Sequence, residues 1–287
     1  MKTNSLLAVL AFLVLQSASA QWAQGKGNGY FKLGGWHLNT DQHFSASGDI
    51  DPNVTRSQTF VSLYTEYGLG EKLDVVAYLP FFARATRNSV LSETTGQEIT
   101  PGEDINSVGD LELGLNLNVH KSDHWAVSTR LIFGIPTGED QGGSDGSFQT
   151  GDGEFNQYLS VLAGYSFNIP NRIFYAKAHF GFNNRTQNFS DELRFGIESG
   201  LGFFEDKVLF IARINGVESL QNGSLNAANS AQGNIFANNI EYLSVGGELN
   251  YFLNDNWGLS VGVDGAFSGR IIAANPSFNA GVFYKLQ

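Results

Sequence analysis

Hydrophobic and polar positions alternate with period two along most of this chain. From Asp110 to His120, Leu111, Leu113, Leu115, Leu117 and Val119 share one phase, and Asp110, Glu112, Gly114, Asn116, Asn118 and His120 share the other. A strand places successive side chains on opposite sides, so this is an extended segment with one apolar and one polar face. After the polar turn Lys121 to His124 the pattern resumes. Trp125, Val127, Thr129, Leu131, Phe133 and Ile135 lie on the apolar phase, and Ser128 and Arg130 lie opposite, which predicts a hairpin.

The same rule predicts ten further strands. Tyr30 to Thr40 is the least regular, because Lys32 and His37 fall on opposite phases, and a bulge near Gly34-Gly35 would reconcile them. Thr59 to Leu69 places Val61, Leu63, Thr65, Tyr67 and Leu69 opposite Glu66, and Leu73 to Ala83 sets its apolar residues against Asp74, Tyr78 and Arg84. Further along, Phe155 to Phe167, Phe174 to Phe182, Leu193 to Phe203 and Val208 to Ile214 alternate, with Lys177, His179, Arg185, Glu192, Arg194, Glu198 and Arg213 on the polar phase. Leu243 to Tyr251, Trp257 to Phe267 and Phe278 to Leu286 complete the set, with Glu248, Asp264 and Lys285 opposite the apolar residues. Connections alternate between long and short: Asp41–Ser57, Thr86–Ser107, Thr137–Gly153, Thr186–Ser190, Ser219–Asn238 and Ser268–Pro276 are the long ones.

From the second strand to the last, the apolar phase carries no Asp, Glu, Lys or Arg. A soluble β-sandwich also alternates, with its apolar face inside. It does not need every apolar face free of charge, nor connections so lopsided. A transmembrane antiparallel β-barrel of about twelve strands needs both, together with aromatic residues at strand ends such as Trp125 and Trp257. Closure pairs every backbone group in lipid. The predicted fold is all-β: an outer-membrane barrel with short periplasmic turns, long extracellular loops, the apolar phase facing lipid and the polar phase lining the lumen.

Composition agrees with this and narrows it. Lys2, the apolar run Leu6 to Leu15 and Ala18-Ser19-Ala20 form a secretory signal peptide over residues 1–20, cut before Gln21, leaving residues 21–287 as one barrel domain. The run is too short for a comfortable membrane anchor. Cys is absent, which removes disulfides, thiolate nucleophiles and cysteine metal sites. The net charge of −11 argues against nucleic acid, whose phosphates require Lys and Arg patches. With 34 Gly, 6 Pro and 13% aromatic residues, the chain is turn-rich and β-forming.

Candidate chemistry is sparse. The charges expected to line the lumen are Glu66, Arg84, Asp110, Glu112, Arg130, Lys177, Arg194, Glu198, Arg213, Glu248 and Asp264. They could select a solute, or pair with one another and brace a narrow interior, and the second reading is preferred for each residue singly. The segment Glu139 to Glu154, with Asp140, Asp145 and Asp152, could hold calcium, but its spacing is not that of an EF-hand, and a solvated outer loop is the expectation. No metal and no cofactor is expected, since no His pair has ligand spacing. A lipid hydrolase would need His120 or His179 to meet Ser128 or Ser160, which nothing in the sequence requires.

Gly109-Asp110-Leu111-Glu112-Leu113-Gly114, Ile135-Pro136-Thr137-Gly138-Glu139, Tyr67-Gly68-Leu69 and Tyr78-Leu79-Pro80-Phe81 resemble the bacterial outer-membrane transporter family of the phenol-degradation meta-pathway. The resemblance spans most of the mature chain. It implies a non-enzymatic, passive channel for a small hydrophobic or aromatic solute, with outer-membrane lipid and the barrel-assembly machinery as partners. The chain departs from barrels that finish on an aromatic residue, ending Phe283-Tyr284-Lys285-Leu286-Gln287. The alternatives are a non-transporting surface barrel whose loops Thr86–Ser107 and Ser219–Asn238 bind a partner, and a lipid hydrolase.

Overall fold

The computed structural model describes residues 23–167, 169–170, 172–225 and 234–287. The predicted signal peptide lies outside the described residues. Twelve long strands form one closed antiparallel sheet: β1 (Gly29–Phe44), β2 (Ile50–Gly68), β3 (Leu73–Arg87), β7 (Leu111–Lys121), β8 (Trp125–Ile135), β9 (Asn156–Ser166), β10 (Phe174–Arg185), β11 (Glu192–Phe203), β12 (Val208–Ser219), β13 (Glu241–Phe252), β14 (Trp257–Arg270) and β16 (Ser277–Leu286). Closure comes from β1, which pairs with β2 on one side and with β16 on the other. Short pieces sit at one end only: β4 (Val90–Leu91), β5 (Glu98–Thr100), β6 (Glu103–Ser107) against β3, and β15 (Ile272–Ala273) against β1.

The outward face is apolar. Leu113, Leu115, Leu117, Phe180, Ile197, Val245, Val261 and Phe278 are all exposed there. Soluble monomers rarely expose contiguous apolar patches beyond a few hundred Å². Most strands have 10 to 14 residues, enough for the roughly nine to eleven a tilted crossing needs. Beside the short turns, Trp125 packs on Tyr165 at 4.9 Å, Phe167 on Phe174 at 4.4 Å and Trp257 on Tyr284 at 4.8 Å. These rings form the periplasmic aromatic girdle.

At the opposite end, some expected loops are strand. β1, β2 and β3 run to 16, 19 and 15 residues and project beyond the others. The segment Asp41–Ser57 is therefore a hairpin closed by residues 45–49, and the end of β14 together with the short β15 takes up just over half of Ser268–Pro276.

Two phase corrections follow from register. β1 is continuous through Gly34-Gly35, so the expected bulge is absent, and the shift falls between Thr40 and Gln42. Lys32, Trp36 and Leu38 face inward, while His37 faces outward and bonds Thr59 Oγ1 at 2.8 Å. In β3 an extra residue sits between Leu79, opposite Leu63, and Phe82, opposite Val61. Proline lacks an N–H and is tolerated at such a bulge, and Pro80 occupies it. Beyond it the phase reverses: Phe81 and Phe82 both face out, and Ala83 and Ala85 are buried inside.

Candidate functional site

The periplasmic half of the lumen is crossed by two charge networks. Glu66 accepts hydrogen bonds from Tyr64 Oη at 2.5 Å, Arg130 Nη2 at 2.9 Å and Gln24 Nε2 at 3.0 Å. Arg213 donates to Glu198 at 2.7 Å and to Glu248 at 3.1 Å, Lys32 reaches Glu248 at 3.1 Å, and Lys177 reaches Glu198 at 2.7 Å. Asp264 accepts from Asn279 Nδ2 at 3.4 Å. The fold thus brings Glu66 and Arg130 together, and Lys177, Glu198, Arg213 and Glu248 together with Lys32.

Beneath these networks the N-terminal segment enters the barrel. Gln24 donates its backbone N–H to the buried Asp74 carboxylate at 3.0 and 3.2 Å, and Gly27 and Asn28 bond Gly68. A side chain at Gly68 would overlap the carbonyl of Gly25, so this approach requires glycine.

The extracellular half is built differently. Residues 136–155 do not form the expected solvated loop; they fold into the mouth. Asp110 accepts the N–H groups of Gly138 and Asp152, each at 2.9 Å, and Gly151 lies so close to its carboxylate that a Cβ would collide with it. Phe148 is 2% exposed, lying 5.8 Å from the Arg56 guanidinium and 5.1 Å from that of Arg87. Arg87 also meets Asp145 at 2.6 Å, and that bond holds the Asp145 carboxyl below the usual carboxylate range. Arg185, 4% exposed, binds Asp152 at 2.9 Å and Glu154 and Glu192 at 2.7 Å each. Arg194 shares Glu192 at 2.7 Å. Burial pushes Asp152 up to about 6, with Arg185 opposing the rise and Asp110 adding to it. The calcium reading gives way here, because Asp145 and Asp152 are each committed to an arginine. From the connection between β12 and β13, Asn234 bridges Gln58 at 3.1 Å and Gln149 at 2.5 Å, and Phe236 packs edge-on against Phe60 with ring centroids 6.2 Å apart.

Between the two halves lies a cavity of about 520 Å³, within the range of small-molecule sites. It follows from one register row. Lys32, Tyr64, Tyr78, Glu112, Gly134 and Asn156 pair in succession across β1, β2, β3, β7, β8 and β9, and all six line it. Gly34 presents no side chain and leaves room beside Lys32, whereas the space at Gly134 is taken by the Asn156 side chain. Trp36, Phe60, Pro80 and Phe236 form its apolar wall.

Arg84 is the exception among the expected lumen residues. It lies on the outward phase beyond the Pro80 bulge, half exposed, and pairs with Asp104 of β6 at 3.3 Å. His120 is likewise turned outward by an extra residue at Val119, so it is not on the face of the buried Ser128. Among the described residues, no hydrogen bond joins His179 to Ser128 or Ser160. Lumen residues not singled out from sequence include Lys32, Trp36, Phe60 and Phe236; Asp74, Arg185 and Glu192 fall on the predicted polar phase but not among the candidate charges, and Asp152 falls in the expected outer loop. Pro80 inside an apparent strand was the available signal for the reversed phase.

No family model and no curated protein matches the chain. Among solved structures it is similar to the COG4313 outer membrane channel from Pseudomonas putida F1, at 13% identity over 92% of this chain and 96% of that one, with a TM-score of 0.58. It is also similar to the β domain of the Bordetella autotransporter BrkA, at 14% identity over 91% and 100%, with a TM-score of 0.51. The fold is that of an outer-membrane β-barrel. At these identities the likeness extends to the fold and no further, and the chemistry must be read from the lumen itself.

Proposed function

We propose that this protein is an outer-membrane channel for passive uptake of a small solute with an apolar or aromatic part. The observation that carries this reading is the 520 Å³ cavity, which lies inside a barrel whose outer face suits hydrocarbon. A barrel that only braced the envelope could fill its interior with side chains, whereas here a space stays open beside an aromatic wall. Under this reading the first 20 residues are a cleaved export signal, the outer-membrane lipid surrounds the barrel, and assembly machinery inserts it. The residues singled out as lumen-lining, apart from Arg84, frame the route. The sequence resemblance to the phenol-degradation transporter family supports an aromatic solute.

The docking of residues 136–155 favours transport over display, because Phe148, Thr150 and Glu154 are buried in the mouth and not presented to a partner. Purified protein in planar bilayers should give discrete conductance steps, and liposomes carrying it should swell in small solutes. Silent bilayers together with unswollen liposomes would remove the channel reading.

A further inference from the structure

The charges around the cavity are not evenly balanced. Two cationic side chains, Lys32 and Arg194, and four acidic ones, Asp110, Glu112, Asp152 and Glu248, line it. Both cations are already spent. Lys32 is held by Glu248 at 3.1 Å, and Arg194 binds Glu192 through Nε at 2.9 Å and Nη2 at 2.7 Å. Asp152 is neutralised by Arg185. Asp110 is satisfied by backbone N–H groups, which bring no full positive charge. Glu112 has no hydrogen bond or ion pair among the described residues, Arg194 and Arg130 acting on it only from beyond contact distance, and it stands beside Tyr78 in the register row with Gly134 on its other side.

Across the cavity the rings form a partial box. Trp36 and Phe60 lie 5.7 Å apart at 48°, and Phe236 meets Phe60 edge-on at 6.2 Å and 72°. Aromatic faces attract a cation within about 6 Å of the ring centre, and such boxes are a recurrent way to hold substituted ammonium groups. A carboxylate in direct contact with no cation, lining the same cavity as a ring cluster, favours a positively charged guest over a negative one.

We propose that the cavity is a binding site for organic cations, namely a substituted ammonium group carrying an aryl or alkyl body. The ammonium sits between Glu112 and the Trp36–Phe60–Phe236 rings, and the body lies against Pro80 and Tyr78. This deepens the channel reading by naming the solute class, and it depends on that reading only for the solute's route of entry.

The test uses the detergent-purified full chain, with benzyltrimethylammonium as probe and benzoate as the aromatic ion of opposite charge. Calorimetry should detect benzyltrimethylammonium and give at least tenfold weaker binding, or none, for benzoate. Glu112→Gln should weaken the cation at least tenfold. Phe236→Ala, in a loop outside the barrel wall, should weaken it severalfold and serves as the independent variant if the first misfolds. Benzoate binding as tightly as the cation, or a cation affinity unmoved by both substitutions, would overturn the proposal. Conductance without cation binding would remove the site and leave the channel; cation binding without conductance would do the reverse.

Discussion

The two halves of the lumen obey different rules. On the periplasmic side the inward residues are charged and pair across strands, as Arg213 does with Glu198 and Glu248. On the extracellular side Trp36, Leu38, Phe60, Ala83 and Ala85 point inward and are covered by segments that dip into the barrel. The outward face is apolar in both halves apart from the His37–Thr59 pair and Arg84 on β1, β2 and β3. Lipid dictates one face of every strand, whereas the other face answers only to what fills the interior, which is paired charge below and packed loops and a solute-sized space above.

The largest expected effect separates the halves. Arg185→Ala strands Asp152 and Glu154 without a counter-charge in a buried cluster and leaves Glu192 to Arg194 alone, and breaking such a pair costs about 3–5 kcal/mol. The mouth loop should undock: protease should cut within residues 136–155 and single-channel conductance should rise, with the barrel still intact by gel mobility. An unchanged cleavage pattern would mean that Phe148, Asp110 and the Arg87–Asp145 pair hold the loop without Arg185.

Next in size, Leu115→Arg on the lipid face should lower barrel stability by about 2–4 kcal/mol near the bilayer midplane, as read from denaturant unfolding in vesicles. The neighbouring inward residue, Asn116→Ser, should cost clearly less. Equal costs would mean that the two faces have been assigned the wrong way round.

A smaller effect comes from pH. Burial holds Asp152 at about 6, above its value in an undocked loop. The docked loop therefore takes up a proton that the undocked loop has released, so docking is strongest in acid and weakens as pH rises through about 6. Conductance should be lower near pH 5 than near pH 7.5, about one to two units either side of this midpoint, and Asp152→Asn should flatten the difference. Arg185, Asp110 and Glu154 face the same carboxyl, and the ion pair between Arg87 and Asp145 stays charged across this window because Asp145 titrates well below it.

The smallest effect tests the bulge. Arg84→Ala removes an exposed pair with Asp104 and should change stability by less than about 1 kcal/mol. A loss of several kcal/mol would return Arg84 to the lumen.

Most of the barrel could be read from alternation, because a lipid-facing position tolerates no charge and the pattern from Leu111 to Ile135 reports that directly. The charge pairs were legible as candidates, but their partners were not. Glu66 and Arg130 lie 64 residues apart and meet through barrel closure and shear. The outer half was misread for physical reasons. A bulge at Pro80 reverses a phase without changing residue types, and inward rings such as Trp36 and Phe60 look like lipid-facing ones until something is known to pack on them. The dipping loop was hidden because its Asp and Gly residues suit water as well as they suit a buried arginine.

The contact between Gly25 and Gly68 carries a consequence for biogenesis. The last strand, β16, seals against the first, β1, while the residues just before β1 lie inside the cylinder. The seam must therefore zip shut around the segment that leads into β1. A bulky fusion placed immediately ahead of Gln24 should leave the wall ajar and trap the protein as an unfinished assembly.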